Sequence, residues 1–177
     1  MSVDVSPNTD LQSLTKEEYN IAVRELSGRV FRFAIKYLKN EEDAHDIVQD
    51  SFEKLWNNRD KVEPEKARSW LFTTAHNASI NLLRKNNRSR TMDTEETSWE
   101  PTSRDEARKY EMKEILDLCL EHLPDIQRSI ILLRDIEGYA YKEIGEIMDL
   151  SESQVKVYLF RARKKIKDTI KDIRLLS

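Results

Sequence analysis

The sequence predicts an all-α protein that consists of two small helical domains joined by a flexible acidic linker. Glycine and proline contribute only 3 and 4 of the 177 residues, far fewer than a turn-rich β-sandwich or barrel needs. Hydrophobic residues make up 38% of the chain and charged residues 36%, a balance that suits thin amphipathic helices with large solvated faces. Apolar residues also recur at helical spacing over most of the chain, so the helices account for most of its length.

Interruptions of this spacing divide the chain into four segments. Residues 1–14 are polar and predicted to be disordered, and Thr15 with Glu18 forms the capping box of the first helix. A first helical domain spans residues 15–87. Residues 88–108 are dominated by polar and acidic side chains and cannot bury enough surface to fold alone, so they are predicted to be the linker. A second helical domain spans residues 109–177.

Charge is distributed unevenly along the chain. The formal net charge is -3, but residues 151–177 hold eight basic and three acidic residues, which gives +5 and leaves -8 for the rest. A second basic cluster, Arg84, Lys85, Arg88 and Arg90, comes directly before the acidic linker. Each basic cluster has two interpretations. It could be a surface that binds nucleic acid, or its Lys and Arg residues could simply lie at a helix C-terminus, where the helix dipole favours cations.

Several other classes of protein are excluded by simple features of the chain. A single cysteine, Cys119, rules out an internal disulfide framework and a multi-thiolate zinc site. The longest aliphatic run covers only residues 130–133, and the first ten residues lack a basic segment followed by an apolar one. We therefore expect a cytoplasmic protein without a signal peptide or membrane insertion.

Residues 42–56 predict an amphipathic helix with one apolar and one acidic face. At 100° per residue, Asp46, Gln49, Asp50 and Glu53 fall together opposite the apolar stripe. This acidic face could be simply solvated, could dock a basic partner, or could hold a divalent metal together with His45. The metal is disfavoured because Asp43 and His45 lie about 200° apart on a helix.

Residues 68–85 predict a central helix that must be covered on more than one side. Its polar positions include His76, Asn77, Asn81 and Arg84, and the basic cluster follows them. Hydrogen-bonding side chains, cations and nearby aromatic residues suit single-stranded nucleic acid, whose unstacked bases and phosphates need such contacts. Trp70 and Phe72 have a second interpretation, since aromatic residues at helical spacing usually belong to the core.

Residues 139–163 carry the pattern of a helix-turn-helix. A short helix is followed by a turn at Asp149 and by a capping box of Ser151 and Gln154, and Gly145 would permit a close crossing of the two helices. The outward face of the second helix carries Ser153, Val157, Phe160, Arg161 and Lys164, with Gln154 and Lys156 at its edges. An outward aromatic side chain among cations predicts DNA binding in a major groove, and the alternative is a purely structural helical hairpin.

Taken together, the order and spacing of the three segments over about residues 17–172 resemble those of a bacterial RNA polymerase sigma factor of the extracytoplasmic-function (ECF) group. The resemblance implies that the acidic helix docks on core RNA polymerase through Asp46, Gln49, Asp50 and Glu53. It implies that the central helix recognises and opens the minus-ten promoter element, with Asn77 binding a flipped base and the strand path lined by Asn81, Arg84 and Lys85. Trp70 and His76 complete the predicted set of minus-ten residues. It also implies that the outward face of the second helix of the helix-turn-helix, including Lys156, Val157, Phe160 and Arg161, reads the minus-thirty-five element.

We therefore expect an alternative sigma factor that is not an enzyme, needs no cofactor or metal, and has core polymerase, promoter DNA and an anti-sigma factor as partners. The net charge of -8 on residues 1–150 should disfavour binding to DNA before polymerase is engaged. The alternatives are a helix-turn-helix regulator that is not a polymerase subunit, a metal-dependent enzyme and an adaptor that binds only proteins. Asp149 and Val157 depart from the residues common in the family, so the preferred promoter sequence stays open.

Overall fold

The computed structural model describes residues 13–89 and 103–175, and within them all regular structure is helical, as predicted. The two stretches are called here the N-terminal half and the C-terminal half. The predicted disorder before residue 13 and most of the predicted linker, residues 90–102, lie outside the described residues. The helices are α1 (Lys16–Leu38), α2 (Glu41–Asn57), α3 (Ala67–Ser89), α4 (Arg104–Glu121), α5 (Asp125–Ile131), α6 (Tyr141–Met148) and α7 (Glu152–Leu175).

The N-terminal half is a three-helix unit in which α1, α2 and α3 all pack on one another. The predicted capping box begins α1, with the Glu18 N–H donating to Thr15 Oγ1 and the Thr15 N–H donating to Glu18 Oε2. Leu14 precedes this box and is already part of the packed structure, because its N–H donates to the carbonyl of Arg59 and its side chain is buried. Two 3₁₀ turns, Arg59–Lys61 and Pro64–Lys66, connect α2 to α3.

The C-terminal half begins inside the segment predicted to be linker. Ser103 caps α4, and its Oγ accepts a hydrogen bond from the Glu106 N–H, so residues 104–108 are helical. Helix α5 continues into a π-helical turn, Leu132–Ile136, and Gly138 reverses the chain at a φ of 75°. Helices α6 and α7 then form a hairpin in which α7 also packs against α4 and α5.

The two halves share one hydrophobic core. Phe72 on α3 and Tyr139 before α6 are both buried, and their rings meet edge to face with centroids 4.9 Å apart. Phe72 also lies 5.7 Å from Phe33 of α1, so the aromatic contacts run from the N-terminal half into the C-terminal half without a break. The N-terminal half therefore packs directly on the C-terminal half in what is called here the closed arrangement.

Candidate nucleic-acid interface

The hairpin of α6 and α7 has the helix-turn-helix geometry that its sequence predicts. Asp149 ends α6 in the left-handed region with a φ of 54°. Ser151 and Gln154 form the predicted capping box: the Gln154 N–H donates to Ser151 Oγ at 3.2 Å and the Ser151 N–H donates to Gln154 Oε1 at 2.9 Å. The turn passes so close to α6 that a Cβ on Gly145 would lie 2.5 Å from the backbone oxygen of Leu150.

One face of α7 is apolar and buried, and the opposite face is exposed and basic. Val155, Leu159 and Ala162 are buried against the rest of the C-terminal half. Phe160 is 70% exposed and Val157 46% exposed, which confirms the outward orientation predicted for both. The other predicted residues of this face are also exposed, namely Ser153, Gln154, Lys156, Arg161 and Lys164.

A shallow groove of about 450 Å³ lies beside this face, between the start of α6 and the middle of α7. Tyr141 and Phe160 supply its aromatic walls, and Lys156 lies 5.6 Å from the centroid of the Tyr141 ring. Tyr141 was not predicted as a site residue, because a helical wheel of α7 does not show which side chains of α6 border it. Arg163, which also lines the groove, is held by Asp135 through a pair of charge-assisted hydrogen bonds of 3.1 and 2.5 Å.

The residues predicted to bind the minus-ten element divide between two sides of α3. Asn77, Asn81 and Lys85 are exposed, and their spacing of four residues places them along one side of the helix. His76 and Arg84 instead face the C-terminal half: His76 Nε2 lies 2.9 Å from Ser129 Oγ, and Arg84 Nη2 lies 3.6 Å from Asp125 Oδ2. Trp70 is half-buried and packs against the core of the N-terminal half. It therefore contributes to the core, as the second interpretation of this residue predicts, although part of its side chain is exposed.

The surroundings of His76 disfavour its charged form. Burial lowers the pKa of this imidazole below its ordinary value of 6.5, and the guanidinium of Arg84 acts in the same direction. The Asn77 side chain and the Asp125 carboxylate act against this effect, but burial is the largest cause. His76 is therefore best accommodated as a neutral ring between α3 and α5.

The acidic face of α2 is exposed, as the helical wheel predicts. Asp46, Gln49 and Glu53 are exposed, while Asp50 is half-buried and pairs with Lys54 one turn later at 2.7 Å. His45, considered above as a metal ligand, packs its ring against Phe31 with centroids 4.6 Å apart. Among residues 13–89 and 103–175, no three His, Cys, Asp or Glu side chains come together as a metal-binding group.

Two family descriptions match the halves that the structure shows. Sigma-70 region 2 matches residues 22–89, which cover most of the N-terminal half, and sigma-70 region 4 matches residues 113–166, which include the helix-turn-helix. The chain is also 31% identical over 140 residues to the ECF RNA polymerase sigma factor SigM of Bacillus subtilis, covering 78% of this chain and 86% of that protein. The chain belongs to the ECF group of RNA polymerase sigma factors. The predicted resemblance is confirmed, and the protein is an alternative sigma factor that directs transcription initiation.

A second relative agrees with that assignment, and two solved structures share the fold. The RNA polymerase sigma factor SigV of Bacillus subtilis is 34% identical over 135 residues, which cover 76% of this chain and 80% of that protein. The solved structure of CnrH in complex with the cytosolic domain of CnrY shares the fold with a TM-score of 0.70 at 23% identity, over 89% of this chain and 90% of that chain. The sigma factor RpoE, solved with the anti-sigma factor NepR from Bartonella quintana, has a TM-score of 0.69 at 23% identity, over 88% of this chain and 98% of that chain.

No helix within residues 13–89 or 103–175 combines the length and the apolar character that crossing a bilayer requires.

Proposed function

We propose that the two halves of this sigma factor bind two promoter elements and that the acidic face of α2 holds core RNA polymerase. In this proposal the N-terminal domain, residues 15–87, docks on polymerase and opens the minus-ten element. The C-terminal domain, residues 109–177, reads the minus-thirty-five element, and residues 88–108 join the two. Tethering both domains to one chain raises the effective concentration of the second contact once the first has formed.

The exposed face of α7 is the observation that carries this proposal. Phe160 is 70% exposed although it is a large apolar residue, and it contributes little to packing within the C-terminal half. Lys156 and Arg161 flank it on an exposed surface whose opposite side is buried. A recognition helix that enters a major groove needs this combination: an apolar group for a thymine methyl and cations for base edges and phosphates.

The exposed amides of α3 support the proposed role at the minus-ten element. Asn77 and Asn81 can donate and accept hydrogen bonds, so each can pair with the edge of an unstacked base. Lys85, one turn further along, supplies a cation for the phosphates of the same strand. Unstacking a base step costs about a few kcal/mol, which these contacts and the phosphate contacts offset.

Binding alone accounts for DNA opening in this proposal, so the sigma factor acts without catalysing a covalent reaction. Asp46, Asp50 and Glu53, together with the neutral amide of Gln49, would meet a basic surface of core polymerase, since the carboxylates of this face are complementary to cations. We place the protein in the cytoplasm, where polymerase and promoter DNA lie. An anti-sigma factor is a further proposed partner, since the sigma factor RpoE, which shares this fold, was solved in complex with the anti-sigma factor NepR.

Replacement of two cations of α7 tests the assignment of the minus-thirty-five surface. In the variant with Lys156→Ala and Arg161→Ala, we expect promoter-dependent transcription with core polymerase to be lost while polymerase binding is retained. The matched control replaces Lys171 and Arg174, which are exposed cations near the other end of the same helix. Equal loss of transcription in the test and control variants would contradict the assignment, and loss of polymerase binding in the test variant alone would also contradict it.

A further inference from the structure

Tyr141, the first residue of α6, lies in the groove beside the outward face of α7 and contacts the Lys156 side chain. The Lys156 Nζ atom lies 5.6 Å from the centroid of the Tyr141 ring. A cation is attracted to the face of an aromatic ring over distances up to about 6 Å. Lys156 is exposed, whereas Tyr141 is half-buried. The ring therefore belongs to the packed part of the C-terminal half, and the ammonium group belongs to the surface proposed to bind DNA.

The Tyr141 ring is held in place by the residues just before it. The guanidinium carbon of Arg134 lies 4.7 Å from the ring centroid, and Arg134 Nη1 donates a hydrogen bond of 2.7 Å to the carbonyl of Tyr139. Tyr139 itself is fully buried. The Ala140 N–H donates to the Glu143 carboxylate at 2.8 Å, which fixes the first turn of α6. These contacts position the ring independently of the lysine that it contacts.

The Lys156 side chain has little else to orient it. A lysine side chain is flexible, and fixing it in one conformation costs entropy. No carboxylate within residues 13–89 and 103–175 forms an ion pair with Lys156. Arg163, another cation of the same groove, is instead held by the two hydrogen bonds to Asp135. The Tyr141 ring is therefore the contact that restricts the position of the Lys156 ammonium group.

The contact with the ring leaves Lys156 able to bind DNA. An ammonium group carries three N–H donors, so one side of it can face the ring while the other side meets a base edge or a phosphate. A side chain that is ordered before binding loses less conformational freedom when the complex forms. A cation that is held in one position also adapts less easily to a different base pair. The ring should therefore increase both the affinity for the minus-thirty-five element and the discrimination between base pairs.

We propose that Tyr141 is a positioning residue for recognition of the minus-thirty-five element: its aromatic ring holds the Lys156 ammonium group where that group contacts DNA, and its hydroxyl group takes no part. This inference rests on the proposed binding of α7 to the minus-thirty-five element. At an exposed site, a cation–π contact favours the held conformation of the lysine by about two- to fivefold. Apparent affinity rises with the population of the binding-competent conformation, so the ring contributes up to about the same factor to DNA binding.

Two substitutions at position 141 separate the effect of the ring from that of the hydroxyl group. Tyr141→Phe keeps the aromatic face, whereas Tyr141→Leu removes it and keeps an apolar side chain. The matched control, Tyr158→Leu, makes the same replacement at another half-buried tyrosine. Tyr158 lies two residues after Lys156 on α7, about 200° away around the helix. Thermal unfolding of each variant shows whether its fold is intact.

The first readout is the proton NMR shift of the Lys156 ε-methylene group in the free full-length protein. Protons that lie over the face of an aromatic ring resonate upfield. We expect an upfield shift for Lys156 in the wild type and in Tyr141→Phe, relative both to Tyr141→Leu and to Lys171, an exposed lysine of the same helix. An unshifted Lys156 signal in the wild type would overturn the proposal without recourse to any variant.

The second readout is competition binding of promoter duplexes to the full chain assembled with core polymerase, each competitor carrying one changed base pair in the minus-thirty-five element. Lys156→Ala identifies the base pair whose preference depends on this lysine. We expect Tyr141→Leu to lose about two- to fivefold in affinity and to lose preference at that same base pair, whereas Tyr141→Phe and Tyr158→Leu should match the wild type. Tyr141→Leu combined with Lys156→Ala should bind no more weakly than Lys156→Ala alone, because the ring acts through the lysine.

The possible failures of this experiment are distinguishable. An equal loss in Tyr141→Phe and Tyr141→Leu would assign the effect to the hydroxyl group, and additive losses in the double variant would show that the ring acts without Lys156; either result overturns the positioning role. A loss of preference in Lys156→Ala with none in Tyr141→Leu overturns the positioning role alone. If Lys156→Ala leaves the preference at every base pair unchanged, the proposed contact of this lysine with the minus-thirty-five element fails together with the inference.

Discussion

The glycine in α6 gives the sharpest test of the helix-turn-helix packing. An alanine Cβ at Gly145 would lie 2.5 Å from the backbone oxygen of Leu150, where contacts shorter than 3.4 Å are already unusually tight. The turn would have to move by about 0.9 Å to accommodate it. The same movement would strain the hydrogen bond of 2.9 Å that the Leu150 N–H donates to the Gly145 carbonyl.

The magnitude follows from three opposing contributions to the free energy of unfolding. Replacing glycine by alanine within a helix normally stabilises by about 1 kcal/mol. Overpacking against a backbone atom costs about 1–3 kcal/mol, and a weakened hydrogen bond costs about 1 kcal/mol more. We therefore expect Gly145→Ala to lower the free energy of unfolding by about 1–3 kcal/mol, or the Tm by about 2–4 °C for each kcal/mol.

The control for this prediction is the glycine in α1. A Cβ on Gly28 would have only the guanidinium of Arg32 near it, at 3.8 Å, and the position is exposed. Gly28→Ala should therefore raise the free energy of unfolding by about 1 kcal/mol, since only the helix propensity changes. Thermal and urea unfolding followed by circular dichroism measure both variants. Equal stabilisation by the two substitutions would refute the close crossing of α6 and α7.

Three further predictions concern the exposed faces and the contact between the halves. Phe160→Ala should leave the Tm unchanged, because the side chain is 70% exposed. The same substitution should reduce the preference for the correct base pair at one position of the minus-thirty-five element by about 1 kcal/mol, measured by competition binding. Replacing Asp46 and Asp50 by asparagine should weaken binding to core polymerase, and the loss should shrink as the salt concentration rises. The free energy of unfolding should change little, because the Asp50 carboxylate is half exposed. Binding assays at two salt concentrations measure the first effect. Burial lowers the pKa of His76 in the closed arrangement, so the imidazole binds a proton more tightly when the two halves are apart. The closed arrangement should therefore be most stable above pH 6.5 and should become less stable as the pH falls below that value. Resonance energy transfer between one fluorophore on each half measures this effect. His76→Gln should remove the pH dependence of that transfer.

Local features of the fold could be predicted from the sequence because each depends on residues a few positions apart. The capping box of Ser151 and Gln154 and the left-handed Asp149 follow from preferences of short segments, and the structure confirms both. The outward orientation of Phe160 follows from the 3.6-residue period once the buried side of α7 is known. The same period places the acidic residues of α2 on one exposed face.

The contact between the halves could not be predicted in this way. Arg29 and Glu137 are 108 residues apart, and nothing in the periodicity of either segment identifies the other as its partner. His76 was predicted as a DNA-binding residue because it lies outside the apolar stripe of α3, and its contact with Ser129 of the other half could not be predicted from that position. A helical wheel distinguishes apolar from polar sides of one helix, but it does not show which polar side meets another part of the chain.

Site-specific cross-linking in the initiation complex tests most directly whether two surfaces of this sigma factor bind two promoter elements. A photoreactive amino acid is placed at position 77 in one protein and at position 160 in a second, each with core polymerase on a promoter. We expect position 77 to label DNA about 10 nucleotides upstream of the start site and position 160 to label DNA about 25 base pairs further upstream, roughly 85 Å along the duplex. Labelling of one DNA region by both positions, or of no DNA by either, would contradict the account.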